Sequence, residues 1–188
     1  MMERTLEEIL EAMRTDTTLP LTPATLVFGE GSAVARVMFI GEAPGAEEDK
    51  QGRPFVGRGG QLLRKEIRRI GWKEENVYIT NIVKRRPPEN RDPTPEEIEA
   101  YRPYLKEQIR AINPELIVAL GRFSMNYFLP EAKISRDQGK VFILLGKKIF
   151  PIFHPAAALR NPEMMRGFIG AFDKLPVALN SRTGNKDI

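Results

Sequence analysis

Three polar side chains in this 188-residue sequence lie at the ends of apolar runs, and their types could support chemistry. They are the carboxylate of Glu42, the amide of Asn81 and the imidazole of His154. A carboxylate can activate water, an amide can distinguish hydrogen-bond donors from acceptors, and an imidazole can donate to a developing negative charge. Each residue alone is also compatible with a turn cap, a packing residue or a solvated side chain.

The elements that must position these residues alternate between strands and helices. This alternation favours a parallel sheet with helices on both faces. We predict a three-layer α/β/α fold with a central, mainly parallel, four-stranded sheet. The predicted strands are 36–40, 76–83, 116–121 and a hairpin or two consecutive strands over 141–153, and the predicted helices are 4–14, 58–71, 94–112, 122–129 and 162–174.

The common position of the three polar residues is more informative than any one of them. In a parallel sheet the carboxyl ends of the strands lie at one edge, and open α/β sheets bind their ligands there. Glu42, Asn81 and His154 would meet at this edge, beside Phe55 in the glycine-containing loop 51–57. The sequence therefore predicts one ligand site.

Chain length and composition limit the organisation of the protein. The length suits one domain with its own core, and no internal repeat or long linker divides it. We expect residues 1–180 to form a single domain and 181–188 a loose tail. No apolar run is long enough to cross a bilayer, and the first residues lack the features of a signal peptide. We therefore expect a cytoplasmic protein that does not bind membranes.

The content of cysteine and histidine excludes several kinds of site. The chain has no cysteine, which excludes disulfides, thiol catalysis, cysteine-bound zinc and iron–sulfur clusters. Its single histidine excludes an imidazole-rich metal site. The net charge of +4 is only a mild indication of a polyanionic partner. The basic residues concentrate at 64–69 and 84–91, which could also be two solvated faces.

Several longer motifs occur in order between about residues 26 and 165. They are Gly41-Glu42-Ala43-Pro44-Gly45, Glu48-Asp49, the stretch 52–57, Thr80-Asn81-Ile82-Val83-Lys84, Arg86-Pro87-Pro88, Asn90-Arg91 and the stretch 154–162. Together these motifs resemble the family 4 uracil-DNA glycosylases. The resemblance implies an enzyme of base excision repair that hydrolyses the N-glycosidic bond of uracil in single- or double-stranded DNA. We expect it to act as a monomer.

The resemblance implies how uracil would be bound. Phe55 would stack on the base, Asn81 would accept from N3–H and donate to O4, and His154 would contact O2. Glu48 would lie beside the C5 edge, where it would exclude the methyl group of thymine. The stretch containing Ala43 and Gly45 would form a further wall of the uracil site.

The group that activates water is less clearly implied. Ala43 occupies the position at which family 1 enzymes carry a water-activating aspartate. Glu42, or a water held mostly by backbone groups, would then have to serve. Catalytic roles are therefore expected for Glu42 and His154.

The DNA-binding residues implied by the resemblance lie in two loops. Leu159 would fill the space left by the flipped nucleotide, and Arg160 would hold phosphate. An ordinary loop before a helix, or a solvated basic loop, would explain the same residues. The expected contacts are Lys84, Arg86, Asn90, Arg91, Leu159 and Arg160.

The sequence departs from this family at the cysteines that hold an iron–sulfur cluster. The corresponding positions are occupied by Arg14, Thr17, Arg85 and Tyr101, none of which can replace a thiolate. We therefore expect no cofactor. Tyr101 would bury its ring at the vacated position, and Arg14 or Arg85 would pair with nearby acids.

Other functions are compatible with parts of this pattern. A related subgroup traps its product covalently through a histidine in an extra basic loop, but the loop 84–94 is short and has no histidine. A glycosylase for another deaminated base such as hypoxanthine, and a non-catalytic DNA-binding module, are the remaining alternatives.

Overall fold

The computed structural model describes residues 4–181, which form a six-stranded mixed sheet with helices packed against it. The strand order is β1-β3-β2-β4-β6-β5. Strands β3, β2, β4 and β6 are parallel, and β1 and β5 pair antiparallel at the two edges. The strands are β1 (Glu30–Gly31), β2 (Val37–Gly41), β3 (Tyr78–Asn81), β4 (Leu116–Leu120), β5 (Phe142–Leu144) and β6 (Lys147–Ile152).

The prediction of a four-stranded sheet is corrected to six strands. The four parallel strands form its centre, and the two antiparallel strands extend it at the edges. Strand β1 has only two residues, and Glu30 pairs with Ile79 of β3. A strand this short cannot show the alternation of apolar and polar residues that marks a strand in sequence. It exists only because a neighbouring strand is available to pair with it.

Eight α-helices lie in the described residues. The short helices α2, α6 and α7 were not predicted, because four to six residues cannot show an apolar stripe. Among residues 4–181 no helix is both long and apolar enough to cross a membrane. The helices are α1 (Leu6–Thr15), α2 (Ala46–Gln51), α3 (Arg58–Arg69), α4 (Pro95–Ile112), α5 (Arg122–Phe128), α6 (Ile134–Asp137), α7 (Pro155–Ala158) and α8 (Pro162–Asn180).

Helix α8 continues past its predicted end at residue 174. The buried ammonium group of Lys148 donates to the carbonyls of Ala178, Leu179 and Ser181 at 3.0, 2.8 and 2.5 Å. A lysine that satisfies the last carbonyls stabilises a helix C-terminus. Of the predicted tail 181–188, only Ser181 lies within the described residues.

The side chains of β2 alternate between two hydrophobic clusters on opposite faces of the sheet. Val37 and Phe39 belong to one cluster, to which α3 and α8 contribute. Met38 and Ile40 belong to the other, to which α1 and α4 contribute. Because both faces of the central strands are covered, polar ligands can reach these strands only at their ends.

The positions that correspond to cluster cysteines are filled by ordinary packing. Tyr101 is fully buried, as expected, and its hydroxyl donates to the carbonyl of Pro20 at 2.7 Å. Arg85 donates to the Tyr101 hydroxyl at 3.2 Å and to the carbonyl of Ala24 at 3.1 Å. Arg85 and Tyr101 thereby connect the segment 20–24 to α4 without any metal ligand.

The two remaining positions lie near the end of α1. Arg14 is exposed and reaches Glu11 at 3.8 Å, in the same helix. Thr17 is also exposed. None of the four side chains supplies a group that binds iron in a cluster. These positions therefore do not fit an iron–sulfur cluster.

We predict that Tyr101→Phe lowers the free energy of unfolding by about 1–3 kcal/mol, because the buried Arg85 and the Pro20 carbonyl lose a partner. Urea unfolding measures the change. Tyr127→Phe is the control, since the Tyr127 hydroxyl is buried without a hydrogen-bond partner, and it should not destabilise the protein. Equal stability of both variants would contradict the proposed connection.

Candidate active site

The carboxyl ends of β2, β3 and β6 surround a cavity of about 370 Å³. The structure therefore brings together the strand-end residues that the sequence placed at one edge of the sheet. The sequence-predicted residues that line the cavity are Glu42, Ala43, Gly45, Glu48, Phe55, Asn81, Asn90, Arg91, His154 and Arg160.

Asn81 ends β3 and is the least solvated polar residue of the cavity. Its residue surface is 2% exposed, and its backbone pairs with Gly41 of the neighbouring parallel strand. The side-chain oxygen Oδ1 is buried and has no hydrogen-bond partner among residues 4–181. Because a buried acceptor without a partner costs free energy, this atom is suited to receive a donor from a ligand.

Phe55 forms a wall of the cavity in an unusual backbone conformation. Its φ is 52°, and its residue surface is 6% exposed. A Cβ at Gly41 would lie 2.4 Å from the ring, and a Cβ at Gly60 would lie 2.0 Å from the Phe55 carbonyl carbon. These two glycines are required because any side chain would displace Phe55.

Arg64 holds the backbone that carries Phe55, a role that no pattern in the sequence indicates. Its guanidinium donates to the carbonyls of Phe55 and Pro54, both at 2.8 Å. It also pairs with Glu30 and Glu74 at 2.5 and 2.7 Å. The basic stretch 64–69 is therefore not simply a solvated face. Its amino-acid sequence does not distinguish Arg64, which makes these contacts, from the other basic residues of the stretch.

His154 follows β6 and caps the N-terminus of α7. Its Nδ1 accepts the backbone N–H of Ala156 at 3.2 Å, so the proton of the neutral ring is on Nε2. Burial is the main cause that lowers the pKa of His154 to about 4; the charge of Glu48 opposes this shift, and that of Arg160 adds to it. His154 is therefore neutral at physiological pH and can donate from Nε2.

Glu42 follows β2, and its carboxyl group is protonated well below neutral pH and ionised above it. Burial, together with the charge of Asp92, raises its pKa to about 7. Arg122, which pairs with Asp92 at 2.6 Å, opposes it. A carboxylate with a pKa near the working pH is suited to accept a proton from water.

Glu48 connects the turn after β2 to the loop that contains Phe55. Its Oε1 accepts the backbone N–H groups of Val56 and Gly57 at 2.9 and 2.8 Å. Its Oε2 accepts that of Gly45 at 3.1 Å. One carboxylate thus fixes two segments that line the cavity.

Lys84 does not lie where a phosphate contact would require it. The residue is fully buried, and its Nζ donates to Thr80 Oγ1 at 2.6 Å. Burial lowers the pKa of this amine well below its usual value. We therefore exclude Lys84 from the DNA-binding residues, because an amine enclosed in the core cannot contact phosphate on the surface.

The other predicted DNA-binding residues are accessible to different degrees. Arg91 is held by Glu97 through two hydrogen bonds of 2.9 and 2.6 Å, and Arg86 donates to Asn90 Oδ1 at 2.7 Å. Leu159 is 38% exposed at the end of α7, and Arg160 is exposed beside it.

Arg58 also lines the cavity, although the sequence did not predict a role for this residue. Within residues 4–181 no group of three or more histidine and acidic residues could hold a metal ion. The side chains present can therefore bind, orient and exchange protons with a ligand.

We predict that Glu48→Gln lowers the free energy of unfolding by about 2 kcal/mol, because an amide NH₂ would face a backbone N–H that now has an acceptor. Glu47→Gln is the matched control, since Glu47 is exposed in the same helical turn and accepts from Lys50 at 2.9 Å. Thermal unfolding compares the two variants. Glu48→Gln with the stability of Glu47→Gln would refute the role of this carboxylate.

Comparison with known proteins relates this site to one superfamily. The Uracil DNA glycosylase superfamily matches residues 28–175. The chain is 46% identical over 164 residues to the type-4 uracil-DNA glycosylase of Thermotoga maritima, with 85% of each chain covered. It is 44% identical over 177 residues to that of Archaeoglobus fulgidus, with 89% of this chain and 88% of the relative covered. The chain therefore belongs to the uracil-DNA glycosylase superfamily and, within it, to the type-4 uracil-DNA glycosylases.

Proposed function

We propose that this protein removes uracil from DNA by hydrolysing the N-glycosidic bond, which leaves an abasic site. The observation that carries the proposal is the buried, unpartnered Oδ1 of Asn81 in a cavity shared with Phe55 and a neutral His154. A base inside a duplex cannot reach such a cavity, so the nucleotide must flip out of the stack.

Asn81 selects uracil against cytosine. The N3 atom of uracil carries a proton, which the unpartnered Oδ1 can accept, whereas N3 of cytosine is itself an acceptor. Placing two acceptors together in a buried site costs free energy, so such a site rejects the wrong base strongly. Phe55 stacks against the face of the base.

Glu48 excludes thymine at the C5 edge. Three backbone N–H groups hold the Glu48 carboxylate, so it cannot easily move to accommodate a methyl group. Ala43 lines the same cavity. The pocket would thus discriminate uracil from the ordinary bases of DNA at two edges.

His154 stabilises the leaving group. As the bond to the sugar breaks, negative charge develops on uracil O2, and the Nε2–H of His154 is oriented to donate to it. A neutral donor interacts more strongly with this developing charge than with the uncharged base, so it lowers the activation free energy.

Glu42 is the group that would activate water. The adjacent position carries Ala43, which has no proton acceptor in its side chain. The raised pKa of Glu42, about 7, allows its ionised form to take a proton from water that attacks the sugar.

DNA would be held at the edge of the cavity by two loops. Arg86, Asn90 and Arg91 contact the phosphates of one segment, with Arg91 fixed in place by Glu97. Leu159 enters the space left by the flipped nucleotide, and Arg160 binds phosphate. We further propose that residues 1–180 act as a single three-layer α/β/α domain, as a monomer, and without a cofactor.

The first test compares oligonucleotides with U:G, U:A, single-stranded U, T:G or hypoxanthine by cleavage of the abasic product. We expect release of uracil only, and we expect Asn81→Ala and His154→Ala to lower the single-turnover rate by about 100-fold or more each. Full activity of both variants would exclude this assignment of the pocket.

The same reactions separate turnover from covalent trapping. On a denaturing gel, free protein together with abasic DNA indicates hydrolysis. A protein band shifted by attached DNA would instead indicate the product-trapping alternative.

A second test uses the pH dependence of kcat/KM between pH 5 and 9. Because the ionised form of Glu42 is the active one, the rate should rise about tenfold per pH unit below about 7 and then level off. His154, with a pKa of about 4, stays neutral throughout and contributes no change. Glu42→Gln should lower the rate about 100-fold or more and remove the rise.

The charge of Asp92 provides the control for this assignment. Asp92→Asn removes a negative charge that raises the pKa of Glu42, so the midpoint of the profile should move to lower pH. A midpoint that stays unchanged in this variant would assign the titration to another group.

A further inference from the structure

Most arginines of this protein are already bonded within the protein itself. Within residues 4–181 they pair with carboxylates, as Arg53 does with Glu30, or donate to other oxygens, as Arg85 does to Tyr101. Arginines with no such hydrogen bond or ion pair in the described part of the chain are Arg58, Arg110, Arg160 and Arg166. Two of these, Arg58 and Arg160, line the cavity of the candidate active site.

Arg58 is the first residue of α3 and is exposed at the edge of the cavity. The first turn of α3 contains no acidic residue, and the Glu48 carboxylate that lies before the helix accepts the backbone N–H groups of Val56 and Gly57. Within residues 4–181 the side chain of Arg58 therefore has no carboxylate partner of its own.

The first turns of α3 and α7 pack directly against each other. A Cβ placed on Gly59 would lie 3.2 Å from the backbone nitrogen of Ala156. Helix α7 begins after His154, and Arg160 follows it. Arg58 and Arg160 thus come from two elements that meet on the side of the cavity where His154 lies.

The third arginine of the cavity is paired within the protein. Arg91 also lines the cavity, but Glu97 binds both of its terminal nitrogens and offsets its charge. Among the arginines that line the cavity, Arg58 and Arg160 are therefore the two whose side chains have no carboxylate partner within residues 4–181.

The interior of the same cavity indicates which ligand would bring an anion close to these arginines. Asn81 is 2% exposed, and its Oδ1 lacks a donor, which a base can supply. A base that enters from DNA remains attached to a sugar with a phosphodiester on each side. At least one of these anions must then lie near the mouth of the cavity.

We propose that Arg58, together with Arg160, forms a binding site for a phosphodiester adjacent to the flipped nucleotide. The inference rests on the proposed function, because it takes the ligand to be a nucleotide in DNA. Arg58 acts by binding and positioning the substrate, and it does not touch the bond that breaks.

The test measures binding of DNA containing 2′-fluoro-2′-deoxyuridine, whose glycosidic bond resists cleavage, at several KCl concentrations. Arg58→Gln should weaken binding about tenfold at 0.1 M KCl. It should also reduce the slope of log K against log[KCl] by about 0.7 to 0.9, the amount for one phosphate contact. Arg58→Lys should keep most of the slope, because it retains the charge.

Two controls distinguish a phosphate contact from other effects. Lys65→Gln removes a positive charge from the same helix, at an exposed position outside the cavity, and should leave both quantities nearly unchanged. Inhibition by free uracil, which has no phosphate, should be equal for the wild type and Arg58→Gln.

The inference is overturned if Arg58→Gln and Lys65→Gln give the same affinity and salt slope. It is also overturned if Arg58→Gln weakens inhibition by free uracil as much as it weakens DNA binding, since Arg58 would then act on the base pocket. Failure of the wild type to prefer uracil-containing over thymine-containing DNA would instead overturn the proposed function, and the inference with it.

Discussion

The Glu48 carboxylate holds together the two segments on which the candidate active site depends. It accepts N–H groups from Gly45, in the turn after β2, and from Val56 and Gly57, beside Phe55. Both segments are irregular and have no ladder of their own to satisfy these donors. The carboxylate replaces that ladder, so the turn and the aromatic wall keep a fixed separation. A base can be selected by shape only if that separation does not change.

Burial at the carboxyl ends of the strands determines the protonation state of the two candidate catalytic residues. The central strands are covered on both faces, so the side chains at their ends are only partly solvated. Burial disfavours the charged form of each group. The pKa of His154 falls to about 4 and that of Glu42 rises to about 7. One environment thus yields a neutral hydrogen-bond donor and a carboxylate that can exchange protons near neutrality.

The part of the fold that a metal cluster occupies in the resembled family is held here by a tyrosine and an arginine. The Tyr101 hydroxyl and the Arg85 guanidinium bond to the carbonyls of Pro20 and Ala24. These contacts connect the N-terminal segment to α4. Neither Arg85 nor Tyr101 lines the cavity, whose lining contains the residues expected to bind the base.

The sequence alone determined the alternation of strands and helices and the position of Glu42, Asn81 and His154 at strand ends. It could do so because buried strands appear as apolar runs, and parallel strands must place their ends together. The same reasoning produced a sheet of four strands, because edge strands as short as β1 have no periodicity of their own.

The tertiary structure decided what the basic residues do. Lys84, Arg64 and Arg58 are equivalent in a sequence, since each is a basic residue whose long-range partners the sequence does not reveal. In the fold, Lys84 is buried against Thr80, Arg64 fixes the backbone of Phe55, and Arg58 is exposed at the cavity. Long side chains can be enclosed, paired or solvated, and the outcome depends on which distant segments pack around them. Sequence spacing fixed where the site lies, and only long-range packing fixed which charges remain available to a ligand.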